Sequence, residues 1–320
     1  MYESFFGLRE APFTLTPNTH FFLKSETHRQ GLEMLLVALK NKEGFIKISG
    51  EVGTGKTLLC RKLLNSLDER YISAYIPNPH FSAETLYCVL ADELGANLKR
   101  EQTNPLYSQI DGYLNQDVTT EKHVLALKQI NDCLLRFAKE GKQVVLIIDE
   151  AQAMPEETIE ALRLLTNLET ESEKLLQVVL FGQPELDRIL SQKHLRQLQQ
   201  RITFQHQIQP LTRSDIERYI SHRMLLAGYT GGRLFDAKAV TLLTRASKGV
   251  PRLVNILCHK ALMSAYGKGS TLVQSKHMKV AIRDTASVKR SVRYGLPWQF
   301  AGLLFCVQLM SMTLPGGGLL

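Results

Sequence analysis

Between Gly50 and Thr57 the chain reads Gly50-Glu51-Val52-Gly53-Thr54-Gly55-Lys56-Thr57, which fits the pattern G-x-x-x-x-G-K-[ST]. This segment restricts the fold more than any other. It demands a strand before it and a helix after it, because its glycines turn backbone N–H groups inward as an anion nest and the helix adds its positive end. The flanks comply: Phe45 to Ser49 is a short apolar run, and Leu58, Leu59, Leu63, Leu64 and Leu67 mark one helix face. The expected ligand is ATP with Mg²⁺. Residues Gly50 to Thr57 would wrap the phosphates, Lys56 would reach the β- and γ-phosphates, and the Thr57 hydroxyl would ligate the metal.

Further apolar segments extend the pattern. Tyr71 to Ile76 reads as a second strand, and a helix follows from about Ala83 to Leu94. Asn97 to Thr120 is polar, contains Pro105 and Gly112, and reads as an irregular insertion. Helix resumes at about Glu121 and runs to Lys139. Val144 to Ile148 and Leu175 to Phe181 are continuous apolar runs, as in strands covered on both faces. Ile202, Phe204, His206 and Ile208 alternate with polar residues, which suits a half-exposed edge strand. Strands alternating with helices predict an α/β fold with a parallel five-stranded sheet. Upstream, Ser25 is placed to cap a helix carrying Leu32, Leu35, Leu36 and Leu39, ended by Gly44. After Pro210-Leu211-Thr212 the pattern is purely helical: Ser214 to Ala227, Asp236 to Ser247, Pro251 to Tyr266, and Ser275 to about Ala286. Gly249 is placed as a C′ glycine and Pro251 as a first helical residue. The expected divisions are an aromatic segment and helix (1–42), a P-loop core (43–210), a small all-helical lid (211–286), and a basic linker with an apolar tail (287–320).

Asp149 and Glu150 close the run Val144–Ile148. The C-terminal rim of an open parallel sheet is where ligands bind. Asp149 would hold magnesium, mostly through water, and Glu150 would act as general base toward the attacking water. Gln183, after Leu180-Phe181-Gly182, could orient that water; residue type alone equally suits a loop amide before Pro184. Arg196 and Arg201 precede the edge strand, where an arginine could face a neighbouring subunit's γ-phosphate, or simply be a surface residue. Arg252 begins a helix, where the dipole disfavours a cation, so a phosphate-reporting role is the better reading.

Hydrophobic residues make up 44% of the 320 residues and charged residues 22%, enough for a substantial core. The formal net charge of +8 suits nucleic acid or an anionic membrane and does not choose between them. The five cysteines, Cys60, Cys88, Cys133, Cys258 and Cys306, show no CxxC pair or metal-ligand spacing, so free thiols in a reducing compartment are expected. The N-terminal residues lack a basic region followed by an apolar stretch, so no secretory signal is expected and the start of the chain is assigned to the cytoplasm.

Together these residues resemble the AAA+ ATPases. Gly50–Thr57 looks like Walker A, and Val144–Glu150 like Walker B. Gln183 lies in the sensor 1 region, where Asn or Thr is common. Arg201 in Gln200-Arg201-Ile202 matches the arginine-finger position best, with Arg196 second, and Gly249-Val250-Pro251-Arg252 resembles sensor 2. A closer resemblance is to the ExeA/GspA family. It rests on Phe5-Phe6-Gly7-Leu8, Pro12-Phe13, Thr16-Pro17, Phe21-Phe22, Ser25, His28, Asp149-Glu150-Ala151-Gln152, Phe181-Gly182-Gln183-Pro184-Glu185-Leu186 and Leu195-Arg196-Gln197-Leu198. Within that family the chain is similar to the short ATPases of mannose-sensitive haemagglutinin (MSHA, type IV) pilus biogenesis. The resemblance implies nucleotide-driven homo-oligomerisation, a ring in particular, and work on the envelope assembly proteins of a pilus or secretion system. Adenine recognition is expected from the aromatic N-terminal segment.

Gly295 to Leu314 carries no charged residue and follows Lys289, Arg290 and Arg293. About twenty such residues can span a bilayer, and the basic residues would then stay on the cytoplasmic side. Packing on the lid and an atypical terminus are the competing readings of the tail. The leading function is a Mg-ATP-driven motor or assembly switch for a pilus or secretion system, placed in the cytoplasm, with attachment to the inner membrane through the tail left open. The alternatives are a DNA-associated AAA+ ATPase of the transposition or replication-initiator kind, and an adaptor that binds ATP but turns over little.

Overall fold

Each strand of the protein owes its place to which of its faces must be covered. The computed structural model describes residues 1–16, 18–23, 25–95, 118–169 and 174–288. Strands β1 (Phe45–Ser49), β2 (Tyr71–Ile76), β3 (Gln143–Ile148), β4 (Leu176–Gly182) and β5 (Ile202–Gln207) form one parallel sheet in the order β2-β3-β4-β1-β5. The α/β expectation and the five-stranded parallel sheet hold. The helices are α1 (Glu26–Lys40), α2 (Lys56–Leu64), α3 (Ala83–Glu93), α4 (Val118–Lys139), α5 (Glu156–Leu165), α6 (Glu185–Leu190), α7 (Arg196–Arg201), α8 (Arg213–Leu226), α9 (Ala237–Ser247), α10 (Pro251–Tyr266) and α11 (Ser275–Arg283).

The apolar runs of β3 and β4 are explained by helices on both sides. Val144, Leu146, Ile148, Val178 and Leu180 point into one core with α3, α4, α5 and α6. Val145, Ile147, Val179 and Phe181 point into the other with α1 and α2. At the edge, β5 alternates half-buried and exposed residues. A buried Gln177 on β4 donates to Leu39 O and Glu43 O, each at 3.1 Å, and so satisfies carbonyls at the end of α1.

Several boundaries differ from the expectation. Helix α1 ends at Lys40, and the left-handed residue that turns the chain is Lys42 rather than Gly44. Ser25 occupies the N-cap of α1, but its hydroxyl bonds His28 instead of a backbone N–H. Helix α4 begins at Val118, three residues before the expected start; 97–117 lies outside the described residues. Lys248 is the first left-handed residue after α9, and Gly249 the second.

The helices from α8 to α11 enclose a second core, and the N-terminal segment belongs to it. Tyr2, Phe6, Leu8, Phe13 and Phe21 are buried with Leu243, Leu257 and Leu262. The Tyr2 hydroxyl meets His259 Nδ1 at 2.9 Å. Arg223 of α8 is buried beneath this segment. It donates to Pro12 O and to the Tyr219 hydroxyl, and its guanidinium lies 4.6 Å from the Phe21 ring centre. Among the described residues no helix is long and apolar enough to cross a membrane; residues 295–314 lie outside them. Cys60, Cys133 and Cys258 are buried free thiols, and Cys88 is half-buried and free.

Replacing Arg223 by Met keeps length but removes every donor, leaving the Pro12 carbonyl and Tyr219 hydroxyl short of a partner. Thermal unfolding of Arg223→Met should show a loss of about 2–3 kcal/mol, with faster proteolysis inside the first twenty residues.

Candidate functional site

The strand order brings the loops after β3, β4 and β1 side by side at the C-terminal rim, with the β4 loop in the middle. The Gly50 N–H donates to Gly182 O at 3.2 Å, which ties the P-loop to the end of β4. Gly53 (φ +82°) and Gly55 (φ +102°) turn the loop in the left-handed region, where a side chain would be strained. Both also face close neighbours. A Cβ on Gly53 would lie 2.6 Å from Arg252 Cβ, and one on Gly55 would lie 2.8 Å from His28 Nε2.

Lys56 is buried within the loop and donates to Gly50 O (2.9 Å) and Glu51 O (3.2 Å). Burial lowers its pKa, and the carboxylates of Glu150, Asp149, Glu51 and Glu185 work the other way. The Thr57 hydroxyl donates to Asp149 Oδ2 at 2.6 Å. Asp149 is 2% exposed, and burial raises its pKa against the bonds from Thr57 and the Glu150 N–H.

Glu150 follows in a left-handed conformation (φ 52°, ψ 39°), a departure that aims its side chain along the rim toward the β4 loop. Its Oε2 accepts from Gln152 Nε2 (2.6 Å) and from Gln183 Nε2 (3.0 Å). Gln152 Oε1 in turn accepts from the Gln183 N–H at 2.9 Å. Burial raises the Glu150 pKa, but the amides of Gln183 and Gln152 and then the Lys56 charge outweigh it, leaving the carboxyl below its usual range. A carboxylate, two amides and one backbone N–H thus close a ring across the ends of β3 and β4. Gln152 had no assigned role in the sequence; its position two residues after Glu150 was the available signal.

His28 braces the loop from behind. Its Nε2 lies 3.0 Å from Thr54 O and its Nδ1 2.6 Å from Ser25 Oγ. A carbonyl can only accept, so Nε2 carries the proton and Nδ1 accepts from the serine. Burial lowers the His28 pKa, the bond to Thr54 opposes this, and the nearby His206 adds to the lowering. The histidine is therefore a neutral strut. From the other side, the Arg252 N–H donates to Gly53 O at 3.2 Å, seating the start of α10 on the loop, while its side chain stays exposed.

The structure brings Gly50–Thr57, Asp149, Glu150, Gln183 and Arg252 together. It does not bring Arg196 and Arg201 to them. Arg201 immediately precedes Ile202, which pairs with Phe45 at the start of β1, so it lies at the opposite end of the sheet from the P-loop. Its Nη1 donates to Thr166 Oγ1 at 3.2 Å and to Arg163 O at 3.4 Å, and the residue is exposed. Arg196 is exposed at the start of α7. Of the aromatic N-terminal segment expected to recognise adenine, four rings are committed elsewhere. Tyr2, Phe6, Phe13 and Phe21 fill the helical core, and the Phe22 ring packs edge-on against His28 at 5.5 Å.

The residues fit a magnesium nucleotide: an inward-turned loop, a buried ammonium, and the Thr57 hydroxyl and Asp149 carboxylate, oxygen donors that would hold Mg²⁺. The family described as an AAA domain matches residues 39–190. Among solved structures, the Aeropyrum pernix ORC2 protein in its ADPNP-ADP complexes superposes with a TM-score of 0.57 at 15% identity, covering 83% of this chain and 71% of that one. The Thermotoga maritima RuvB Holliday junction branch migration motor gives 0.51 at 15%, covering 82% and 70%. These likenesses fix the fold class: a P-loop AAA core with a helical C-terminal region. General secretion pathway protein A of Aeromonas hydrophila is 37% identical over 289 residues, which is 90% of this chain and 49% of that protein. The chain is an AAA-domain protein related to general secretion pathway protein A, and it spans about half the length of that relative.

Truncating His28 to Ala should weaken ATP binding about tenfold, the value of one buried hydrogen bond and its packing. His28→Gln keeps a donor and should recover most of it. Titration with a fluorescent ATP analogue measures both; unchanged affinity in His28→Ala would sink the strut.

Proposed function

We propose that this chain is a Mg-ATP-hydrolysing AAA+ ATPase that drives assembly of a cell-envelope machine, either type II secretion or an MSHA-type pilus. The observation that carries the hydrolytic reading is the Glu150 carboxylate, held ionised by Gln183 and Gln152 on the rim beside the buried Lys56. Residues 43–210 perform the chemistry and 211–286 act as the lid. The loop Gly50–Thr57 and Lys56 bind the phosphates. Thr57 and Asp149 hold the magnesium, which supplies neutralising charge to the phosphates when bound. Glu150 accepts the proton of the attacking water, Gln183 orients that water, and Arg252 reports the phosphate state to α10.

Arg201, and next to it Arg196, would complete the site of a neighbouring subunit. Their distance from their own P-loop supports this assignment, since a sheet's length separates Arg201 from it. Such a site requires a homo-oligomer, and a ring supplies every subunit with a finger. The envelope role rests on the kinship with general secretion pathway protein A. In this reading the protein works in the cytoplasm, attached to the inner membrane through residues 295–314.

Glu150→Gln should bind ATP as the wild type does and lose turnover by about a hundredfold or more. Wild-type hydrolysis by that variant refutes the assigned base. Mixing Lys56→Ala with Arg201→Ala subunits should restore activity that neither has alone, because one interface then combines an intact P-loop with an intact finger. A mixture that co-assembles yet stays inactive removes Arg201 from that role.

A further inference from the structure

The chain's positive charge is concentrated at one end. Residues 1–235 hold 27 Lys and Arg against 29 acidic residues, whereas residues 236–293 hold 12 against two. Pairing differs in the same way. In the first part Arg29, Lys47, Arg70, Arg163, Arg213 and Arg218 all meet carboxylates. Among the described residues after 235, Lys260 is the cation with an ion pair, to Asp284 at 2.6 Å.

Helix α11 concentrates this excess. His277, Met278 and Ala281 face inward, while Lys276, Lys279 and Arg283 recur along the outer face. Lys268, exposed in the preceding turn, is close enough for its charge, like that of Lys276, to act on His277. Like charges at three- and four-residue spacing repel along a helix, so a stripe without carboxylate partners among the described residues favours a polyanion laid against it. Two exposed apolar side chains sit among these cations, Val280 (44%) and Leu272 (36%). The stripe leads on in sequence to Lys289, Arg290 and Arg293, and then to the uncharged residues 295–314. Cations mixed with exposed apolar side chains match a headgroup layer, which takes up both; the phosphates of a duplex accept only the cations.

We propose that the outer face of α11, formed by Lys276, Lys279, Val280 and Arg283 with Lys268, docks on an anionic lipid bilayer. This goes beyond the reading above, in which attachment resides in the tail, and it does not depend on ATP hydrolysis.

The test is flotation of the full-length protein with vesicles of phosphatidylcholine alone or mixed with phosphatidylglycerol, for wild type and Lys276→Glu/Lys279→Glu/Arg283→Glu. At low salt the triple variant should bind the phosphatidylglycerol vesicles at least about tenfold more weakly, and high salt should abolish the difference. Binding to phosphatidylcholine alone, which reports the uncharged tail, should be equal in both. Equal binding of both proteins to phosphatidylglycerol vesicles overturns the proposal. So does a wild type that ignores those vesicles but binds duplex DNA through the same three residues. If circular dichroism shows the Glu variant misfolded, Lys276→Gln/Lys279→Gln/Arg283→Gln replaces it, with a smaller loss in the same direction.

Discussion

A lysine ammonium buried at the end of a sheet must be surrounded by oxygen or lose its charge. Lys56 meets this condition through two carbonyls of its own loop, and much of the surrounding architecture keeps that loop in shape. Gly182 holds its base from β4, His28 supports its back from α1, and the first turn of α10 rests on its tip. Three separate parts of the chain therefore converge on eight residues. The convergence explains why Gly53 and Gly55 are glycines twice over: their backbone angles favour it, and the neighbours leave no room for a β-carbon.

The acidic pair shows how one strand end can hold two carboxylates in different environments. Asp149 is sunk behind the loop and bonded to Thr57, where burial raises its pKa. Glu150, one residue on, is turned out by its left-handed backbone and accepts two side-chain amide donors, which lower its pKa. The first environment suits a group waiting for a metal ion to replace a hydroxyl proton. The second suits a base that must stay ionised and keep one orientation. The amide ring that holds Glu150 also joins β3 to β4, so a shift of either strand end moves the carboxylate.

Local patterns were legible in the sequence and distant partnerships were not. The runs Phe45–Ser49 and Val144–Ile148 could be read because burial on both faces leaves an unbroken apolar signal. The loop Gly50–Thr57 could be read because its chemistry admits few residue types. By contrast, the packing of Tyr2 against His259 joins residues 257 apart, and no periodicity announces it. Nor does the sequence show where Tyr2, Phe6, Phe13 and Phe21 go, because their destination, the helical core, is assembled from the far end of the chain. Gln152 escaped for a related reason: its meaning depends on the Gln183 backbone, 31 positions away. Arg223 sits in a helix whose pattern gives no hint that a guanidinium lies inside.

The route of the chain has a mechanical consequence. It begins inside the helical core, leaves to build the sheet with α1, and returns after β5, where Leu211 bonds Gly249. Two covalent crossings, rather than one, therefore connect the two bodies. A body tied to another by two straps has fewer ways to turn against it than one tied by a single strap. Where the two bodies meet, the Arg252 N–H in the first turn of α10 bonds Gly53 O.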